Sequence, residues 1–405
     1  VNRSLSAELT REHAAELDAR DPLRAFRERF VIDPEVVYLD GNSLGCLPRA
    51  TASRLEDLVA EGWGRRGGRG WDEGWLELPI EIGDRLGAAV LGAAPGQVVI
   101  GDSTTVCFYK LVCAALDARP GRSQIITDRD NFPTDRYVLE GVANARGLRL
   151  VWLDGDPETV TSLIGPDTAL VTFSHVSYRS ARIADMAAIN RVVRKAGALM
   201  LWDLSHSAGS VPISLDGDQV PLAVGCTYKY LNAGPGAPAY MYVSRELQSE
   251  LRQPIWGWLG RREPFEMAPG YEAAAGMRGF LSGTPPVLAL AAVDEGVRLV
   301  AEAGVDALRA KGIALTQLAI TLADERLATV RVASPRDPAR RGAHVALSHP
   351  DARGLCARLI ERGVIPDYRR PDVIRFGFSP LTTRFVDVWD GIEALRDLIS
   401  RPGRS

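Results

Sequence analysis

Ala223-Val224-Gly225-Cys226-Thr227-Tyr228-Lys229-Tyr230 is an apolar run that ends in a lysine between two tyrosines, and the fold reading starts there. A lysine placed directly after a buried strand must either reach back to water or bury its amine. A desolvated amine has a lowered pKa and suits Schiff-base chemistry. Working outward, a second run, Ala198-Leu199-Met200-Leu201-Trp202, ends in Asp203 and continues Leu204-Ser205-His206-Ser207. A third, Val98-Val99-Ile100, leads through Gly101-Asp102-Ser103 to Thr104-Thr105. Taken singly, Asp203 could cap a helix, His206 could be a core histidine and Thr104 a simple N-cap. Around these runs, Val-, Ile- and Leu-rich segments alternate with amphipathic ones, the pattern of βαβ units about a mostly parallel sheet. Strands are predicted at 97–100, 124–127, 149–153, 169–173, 199–202, 223–225 and 239–243, with helices at 105–118, 132–145 and 185–196. The fold class is therefore α/β. In such sheets ligands bind beyond the C-terminal strand ends, where all three runs deliver their polar residues.

The rest of the chain sets the frame. Its 405 residues are 46% apolar and 24% charged, with 48 basic against 51 acidic residues for a net charge of −3. That is ordinary soluble globular composition, long enough for two to three domains at about 150 residues each. The densest basic run, Arg65-Arg66-Gly67-Gly68-Arg69, is short and glycine-rich, so a nucleic-acid surface is not expected. The opening Val1-Asn2-Arg3-Ser4-Leu5-Ser6 has no secretory apolar core, and no uncharged run is long enough for a bilayer. A soluble, cytoplasmic protein with no membrane partner is expected. Cys46, Cys107, Cys113, Cys226 and Cys356 are scattered without a CxxC pair, so neither a disulfide framework nor a metal site is expected. Residues 254–286 form a long loop dense in Gly, Pro and aromatics, and loops of that size are usually functional. Long helices follow at 287–303 and 305–327, then short strands and a last helix near 387–400. The expected organisation is an N-terminal segment (1–60) on the small domain or a partner subunit, a large domain (61–287) and a small α+β domain (288–405).

Together the three strand ends supply what pyridoxal 5'-phosphate (PLP) needs: an amine, a carboxylate for the pyridinium nitrogen, and hydroxyl and amide donors for a phosphate. Dinucleotide and P-loop glycine patterns are missing, as are zincin motifs and the G-x-S-x-G elbow of serine hydrolases.

From about residue 20 to 400 the chain resembles kynureninase, in the class V aminotransferase-like branch of fold-type I PLP enzymes. The resemblance is carried by Tyr38-Leu39-Asp40-Gly41-Asn42-Ser43-Leu44-Gly45, Asn131-Phe132-Pro133-Thr134-Asp135, Trp202-Asp203-Leu204-Ser205-His206, Gly225-Cys226-Thr227-Tyr228-Lys229, Gly257-Trp258-Leu259-Gly260 and Arg375-Phe376-Gly377-Phe378. The lysine and aspartate motifs mark only the superfamily; the Gly-Asn-Ser-Leu-Gly, Asn-Phe-Pro-Thr-Asp and Gly-Trp-x-Gly segments are more specific.

The resemblance implies a seven-stranded large domain, a homodimer with shared sites, and hydrolytic Cβ–Cγ cleavage of L-kynurenine to anthranilate and L-alanine. It implies that Lys229 carries the cofactor and moves the Cα proton, that Asp203 pairs with the pyridinium, and that Phe132 stacks on the ring. Asp135 and His206 would line the ring edge. Thr104, Thr105 and Tyr228 would hold the phosphate, with Tyr228 also a proton donor, and Trp258 and Thr284 would reach it from the neighbouring subunit. Arg375 would grip the substrate carboxylate near Asn42 and Ser43, and Trp71, Gly283 and Thr284 would line the aryl pocket in the bacterial pattern. The chain departs from the family at Arg261 (commonly His), Ala233 and Ala181 (commonly Gly), Ser177 (commonly Asn) and Ala346 (commonly Ser). Arg261 is expected to add charge near the subunit interface and to bear on substrate choice, including a substituted kynurenine. The alternative in the same fold is another class V enzyme, an aminotransferase or a desulfurase. A desulfurase needs a loop cysteine, and residues 328–345 contain none. A catalytically silent binding protein would have no use for Lys229, Asp203 and Arg375 together.

Overall fold

Seven strands form the central sheet, and each lies within one residue of a predicted run. They are β1 (Val98–Ile100), β2 (Gln124–Asp128), β3 (Arg149–Leu153), β4 (Thr168–Ser174), β5 (Leu199–Asp203), β6 (Leu222–Gly225) and β7 (Tyr240–Val243). The computed structural model describes residues 9–400, so the reading of Val1–Ser6 lies outside the described residues. The strand order is β1-β7-β6-β5-β4-β2-β3. Pairing is parallel from β6 to β3, while β7 runs antiparallel to both β6 and β1. The reversal has a local cause: parallel neighbours need a long crossover, usually a helix, and none intervenes between Gly225 and Tyr240.

The predicted helices appear as α1 (Thr104–Asp117), α2 (Pro133–Arg146) and α3 (Met186–Lys195). They cover the sheet on both sides, which is why β4 to β7 read as continuous apolar runs rather than alternating ones. One face buries Ile126, Phe173, Trp202 and Tyr240 against α3 and α4 (Val287–Ala303). The other buries Val99, Leu201 and Met241 against α1 and α2.

After α4 comes α5 (Val305–Arg326), then a four-stranded antiparallel sheet of β8 (Arg331–Val332), β9 (His344–Ser348), β10 (Asp367–Arg369) and β11 (Val373–Gly377), in the order β8-β9-β11-β10. With α6 (Ala352–Glu361) and α7 (Phe385–Ser400) it encloses a second core of Leu315, Val345, Leu355, Phe376 and Ile392, which also takes in Ala14 and Leu39. The helix Arg11–Arg20 lies along α7, with Arg11 Nε 2.7 Å from Asp390 Oδ1. Main-chain bonds stitch the two sheets together: Gly342 N donates to Ala181 O at 2.7 Å and Ile183 N to Arg340 O at 2.9 Å. No described helix is long and apolar enough to cross a membrane.

Candidate active site

Lys229 follows β6 in a turn closed by Asn232 N donating to Lys229 O at 3.0 Å, with Asn232 in the left-handed region at φ 55°. The N-terminal loop lies directly on this turn, Gly45 N donating to Tyr228 O at 2.8 Å. A Cβ at Gly45 would stand 2.4 Å from Lys229 O, so only glycine lets the loop come this close.

Lys229 is buried, and its Nζ lies 2.9 Å from Nε2 of His206, 5.6 Å from the Phe132 ring centre and 6.0 Å from that of Tyr228. The β5 end supplies Asp203, whose Oδ1 accepts from Ser205 N at 2.7 Å in a tight turn that aims His206 at the lysine. The Ser205 hydroxyl accepts from Cys226 N at 3.2 Å and so joins the β5 and β6 ends. Burial pushes the His206 pKa well below its ordinary value, and the Lys229 and Arg375 cations push it the same way. Its Nδ1 has no hydrogen-bond partner.

Phe132 precedes α2, and Asp135 sits in the first turn. Asn131 sets the entry, its Oδ1 accepting from Phe132 N and from Ser174 Oγ, both at 2.8 Å. Asp135 is fully buried beside Asp203; burial, then the neighbouring carboxylate, raises its pKa well above the ordinary range. Its Oδ2 is unpartnered. Two buried carboxyls, one with an open oxygen, and a buried amine fit a group that carries a ring N–H and a carbonyl carbon, as PLP does. Thr104 and Thr105 occupy the first turn of α1, whose N-cap is Ser103, not Thr104: Ser103 Oγ accepts from Val106 N at 3.4 Å. That helix end is suited to a phosphate. Burial raises the Tyr228 pKa, so its phenol keeps its proton.

Arg375 on β11 is fully buried and already engaged. Its Nε donates to Asp367 Oδ1 at 2.7 Å, and its Nη2 donates to Asp367 Oδ2 and to Ser43 Oγ, the latter at 3.1 Å. Its Nη1 donates to Tyr178 O. The Asn42 amide oxygen, oriented to satisfy both groups, accepts from Nη1 at 3.3 Å and Nη2 at 3.2 Å. A Cβ at Gly377 would collide with the Asn42 amide, which explains the glycine after Arg-Phe. Burial works to raise the Asp367 pKa, yet bonds from Arg375 and the nearby Arg369 hold it below the usual range. The Tyr178 ring meets Phe132 edge-on at 5.4 Å, linking this cluster to the lysine.

Trp71, Trp258 and Thr284 form a third group. Trp258 Nε1 donates to Thr284 Oγ1 at 3.3 Å, and the Trp71 and Trp258 ring centres lie 6.3 Å apart. Gly283 and Thr284 line a cavity of about 290 Å³ with Asp102 and Ser103 beside α1. Trp71 lines an apolar groove of about 480 Å³ with Trp63, Trp75 and Leu288. The described residues bring this group into no hydrogen bond or ring contact with Lys229 or Arg375. Arg261 is turned into its own loop, Nη1 donating to Glu263 O at 2.7 Å and to Glu266 Oε2 at 2.8 Å. Sequence reasoning missed Asp367, the Tyr178 carbonyl and the role of His344 as a neighbour of His206. The alternation of acid and base in Asp367-Tyr368-Arg369 was the one available signal.

With this geometry in hand, comparison with known proteins decides the family. The chain is 44% identical over 399 residues to the kynureninase of Burkholderia pseudomallei (strain K96243), covering 96% of this chain and 95% of the relative. It is 41% identical over 401 residues to that of Pseudomonas fluorescens, covering 97% and 96%. The chain belongs to the kynureninase family. A family model described as the kynureninase C-terminal domain matches residues 308–395, the part that carries His344, Asp367 and Arg375. Among solved structures, the kynureninase-family chain has the fold of an apo cysteine desulfurase from Thermococcus onnurineus NA1, with TM-score 0.81, 17% identity and coverage of 93% of this chain and 98% of that one. It is also like a C-DES variant with glycine covalently linked to its PLP cofactor, with TM-score 0.81, 19% identity and coverage of 92% and 99%. The fold is thus the α/β fold-type I architecture that the resemblance implied.

Proposed function

We propose that the chain is a PLP-dependent kynureninase, which cleaves the Cβ–Cγ bond of L-kynurenine by hydrolysis to anthranilate and L-alanine. The near-full-length identity to kynureninases carries this reading. The buried amine of Lys229, close to His206 and Phe132 and within electrostatic reach of the buried Asp135 carboxyl, supports it chemically.

When bound, PLP supplies an electron sink for charge that develops at the substrate Cα. The protein does the rest. Lys229 holds the cofactor and then moves the Cα proton, within reach of the His206 imidazole. Asp203, with Asp135 beside it, holds the pyridinium N–H, which relieves the repulsion of two buried carboxyls. Phe132 covers the ring face, and Thr104 and Thr105 donate to the phosphate from the α1 end. Tyr228, with its proton retained, would donate a hydrogen bond to the phosphate and would give its proton to Cβ as the Cβ–Cγ bond breaks, taking one back from water afterwards. Arg375 takes the α-carboxylate on the Nη edge that Asn42 and Ser43 now share, so substrate entry and movement of the Asp40–Gly45 loop go together. Asp367 stays on the other edge and keeps the guanidinium in place.

Trp258 and Thr284 serve the site of a second copy in a homodimer, and Trp71, Gly283 and Thr284 form the aryl pocket there. Support comes from the lack of any hydrogen bond or ring contact between them and Lys229 among the described residues, and from exposed apolar side chains nearby in sequence or space: Trp63, Trp256, Phe265 and Met267 are 61, 66, 56 and 70% exposed. Residues 61–287 act as the cofactor-carrying unit and 288–405 as the smaller one, with α4 lending its apolar face to the larger core. Five cysteines unpaired among the described residues favour a cytoplasmic location. The test is anthranilate release from L-kynurenine and 3-hydroxy-L-kynurenine by the PLP-loaded protein, read by fluorescence and mass spectrometry. A lysine-bound cofactor band with neither compound cleaved would move the reading to another class V reaction.

A further inference from the structure

His206 presents one ring nitrogen to Lys229 and turns the other away. A protonated amine is a donor with no lone pair. With the lysine N–H as donor at 2.9 Å, Nε2 accepts, and the single proton of a neutral imidazole then sits on Nδ1. That Nδ1 is buried and has no partner. A second histidine ring, that of His344, lies beside the His206 ring, with ring centres 5.8 Å apart and planes 57° apart. His344 is fully buried, and both of its nitrogens lack a hydrogen-bond partner. It starts β9 opposite Gly377, while two residues on Ala346 lies opposite Arg375. The neighbouring strand thus offers His344 no side chain at its own position.

We infer that His344 is a positioning residue for His206, whose Nδ1–H it accepts through one water, so that Nε2 keeps its lone pair for Lys229. This rests on the reading of Lys229 as the cofactor lysine. The surroundings agree with two neutral rings. His344 and His206 face the cations Lys229, Arg375 and Arg369, against the carboxylate of Asp367 on the β10 side and those of Asp203 and Asp135 on the lysine side. Burial and then Arg375 lower the His344 pKa well below its ordinary value, which leaves it an acceptor at neutral pH. A hydrogen-bond acceptor on the far ring nitrogen fixes the tautomer and raises the basicity of the other nitrogen. A more basic Nε2 holds the proton on the lysine nitrogen longer. Because β9 belongs to the C-terminal unit, the position of that unit is felt at the lysine.

The experiment is a pH titration of the absorbance band of the lysine-bound cofactor in the holoenzyme, for wild type, His344→Leu and His344→Gln. Leucine removes the acceptor and should lower the midpoint of the band by about half a unit to one unit. It should also cut kcat roughly tenfold with KM and cofactor content unchanged. Glutamine, whose amide oxygen accepts, should recover most of both. A wild-type midpoint in the leucine variant, or a glutamine variant as impaired as leucine, overturns the inference. If leucine prevents folding, nitrogen-15 NMR of histidine-labelled wild-type holoenzyme decides instead: a proton on His206 Nδ1 supports the inference and one on Nε2 overturns it. The midpoint and the NMR signal need no substrate, so a failure to cleave kynurenine would strike the proposed function alone. Absence of the band from wild type would strike the lysine reading itself.

Discussion

Ala181 adopts φ 65° without being glycine, and it does so where its carbonyl accepts from Gly342 N across the seam between the two sheets. A left-handed conformation costs an L-residue roughly 1–2 kcal/mol, part of which glycine returns through its freer unfolded chain. Ala181→Gly should therefore stabilise the protein by about 1 kcal/mol, seen as a higher urea midpoint; an unchanged or lower midpoint would mean that the seam fixes the conformation without strain. Asp128, at the end of β2, makes a pH prediction. Burial and then Asp130 raise its pKa to about 6. A raised carboxyl pKa means that the folded state holds the proton more tightly than the unfolded one. The penalty is therefore absent below about pH 4, grows through the interval and is complete above pH 6. Asp128→Asn should gain stability on the order of 2 kcal/mol at pH 8 and nothing at pH 4. Thermal melts at the two pH values check this, and an equal gain at both would point to packing instead. At the centre of the site, Lys229→Ala should abolish both turnover and the cofactor band, and normal turnover would remove Lys229 from its role.

At the scale of elements, β11, β10 and the Asp40–Gly45 loop form one unit around the Arg375 guanidinium. Removing that cation leaves the buried Asp367 with Arg369 at 2.6 Å as its remaining cation and the Ser43 hydroxyl donating at 2.9 Å, and Arg369 is partly exposed. Arg375→Ala should then cost about 3 kcal/mol of stability as well as kynurenine affinity, because half of a buried pair has been deleted. Chemical unfolding and substrate titration of the loaded protein separate the two effects; loss of affinity with full stability would show that Asp367 is satisfied without Arg375. This cluster also marks where sequence reading stops. The strands were legible because β4 to β7 are buried on both faces and read as apolar runs with polar residues at their ends. Lys229, Asp203 and His206 stood out because each follows such a run, whereas Asp135 stood out only through the resemblance carried by Asn131-Phe132-Pro133-Thr134-Asp135. Asp367, Tyr178 and His344 were not, since their meaning depends on the register of β9, β10 and β11. The N-cap of α1 slipped by one residue because Ser103 and Thr104 are equally good caps in sequence, and only the backbone chooses between them.

For the whole molecule, the proposal that Trp258 and Thr284 serve the site of a second copy becomes a test of assembly. Neither Lys229→Ala nor Thr284→Ala alone should support normal activity, yet in the mixed dimer one site has both residues intact. Co-expression should restore about a quarter of wild-type activity, since random pairing makes half the dimers mixed with one good site each. No rescue would place Thr284 in its own chain's site. The seam has a further consequence. Ile183 N and Gly342 N lie in irregular segments, yet each bonds a carbonyl of the opposite unit, and Arg182 pairs with Arg341 as an isolated bridge. Opening those bonds requires the two units to part, which a fraying loop does not. The amides of Ile183 and Gly342 should therefore exchange with deuterium as slowly as those of the central strands, so that two loop positions report the opening of the whole chain.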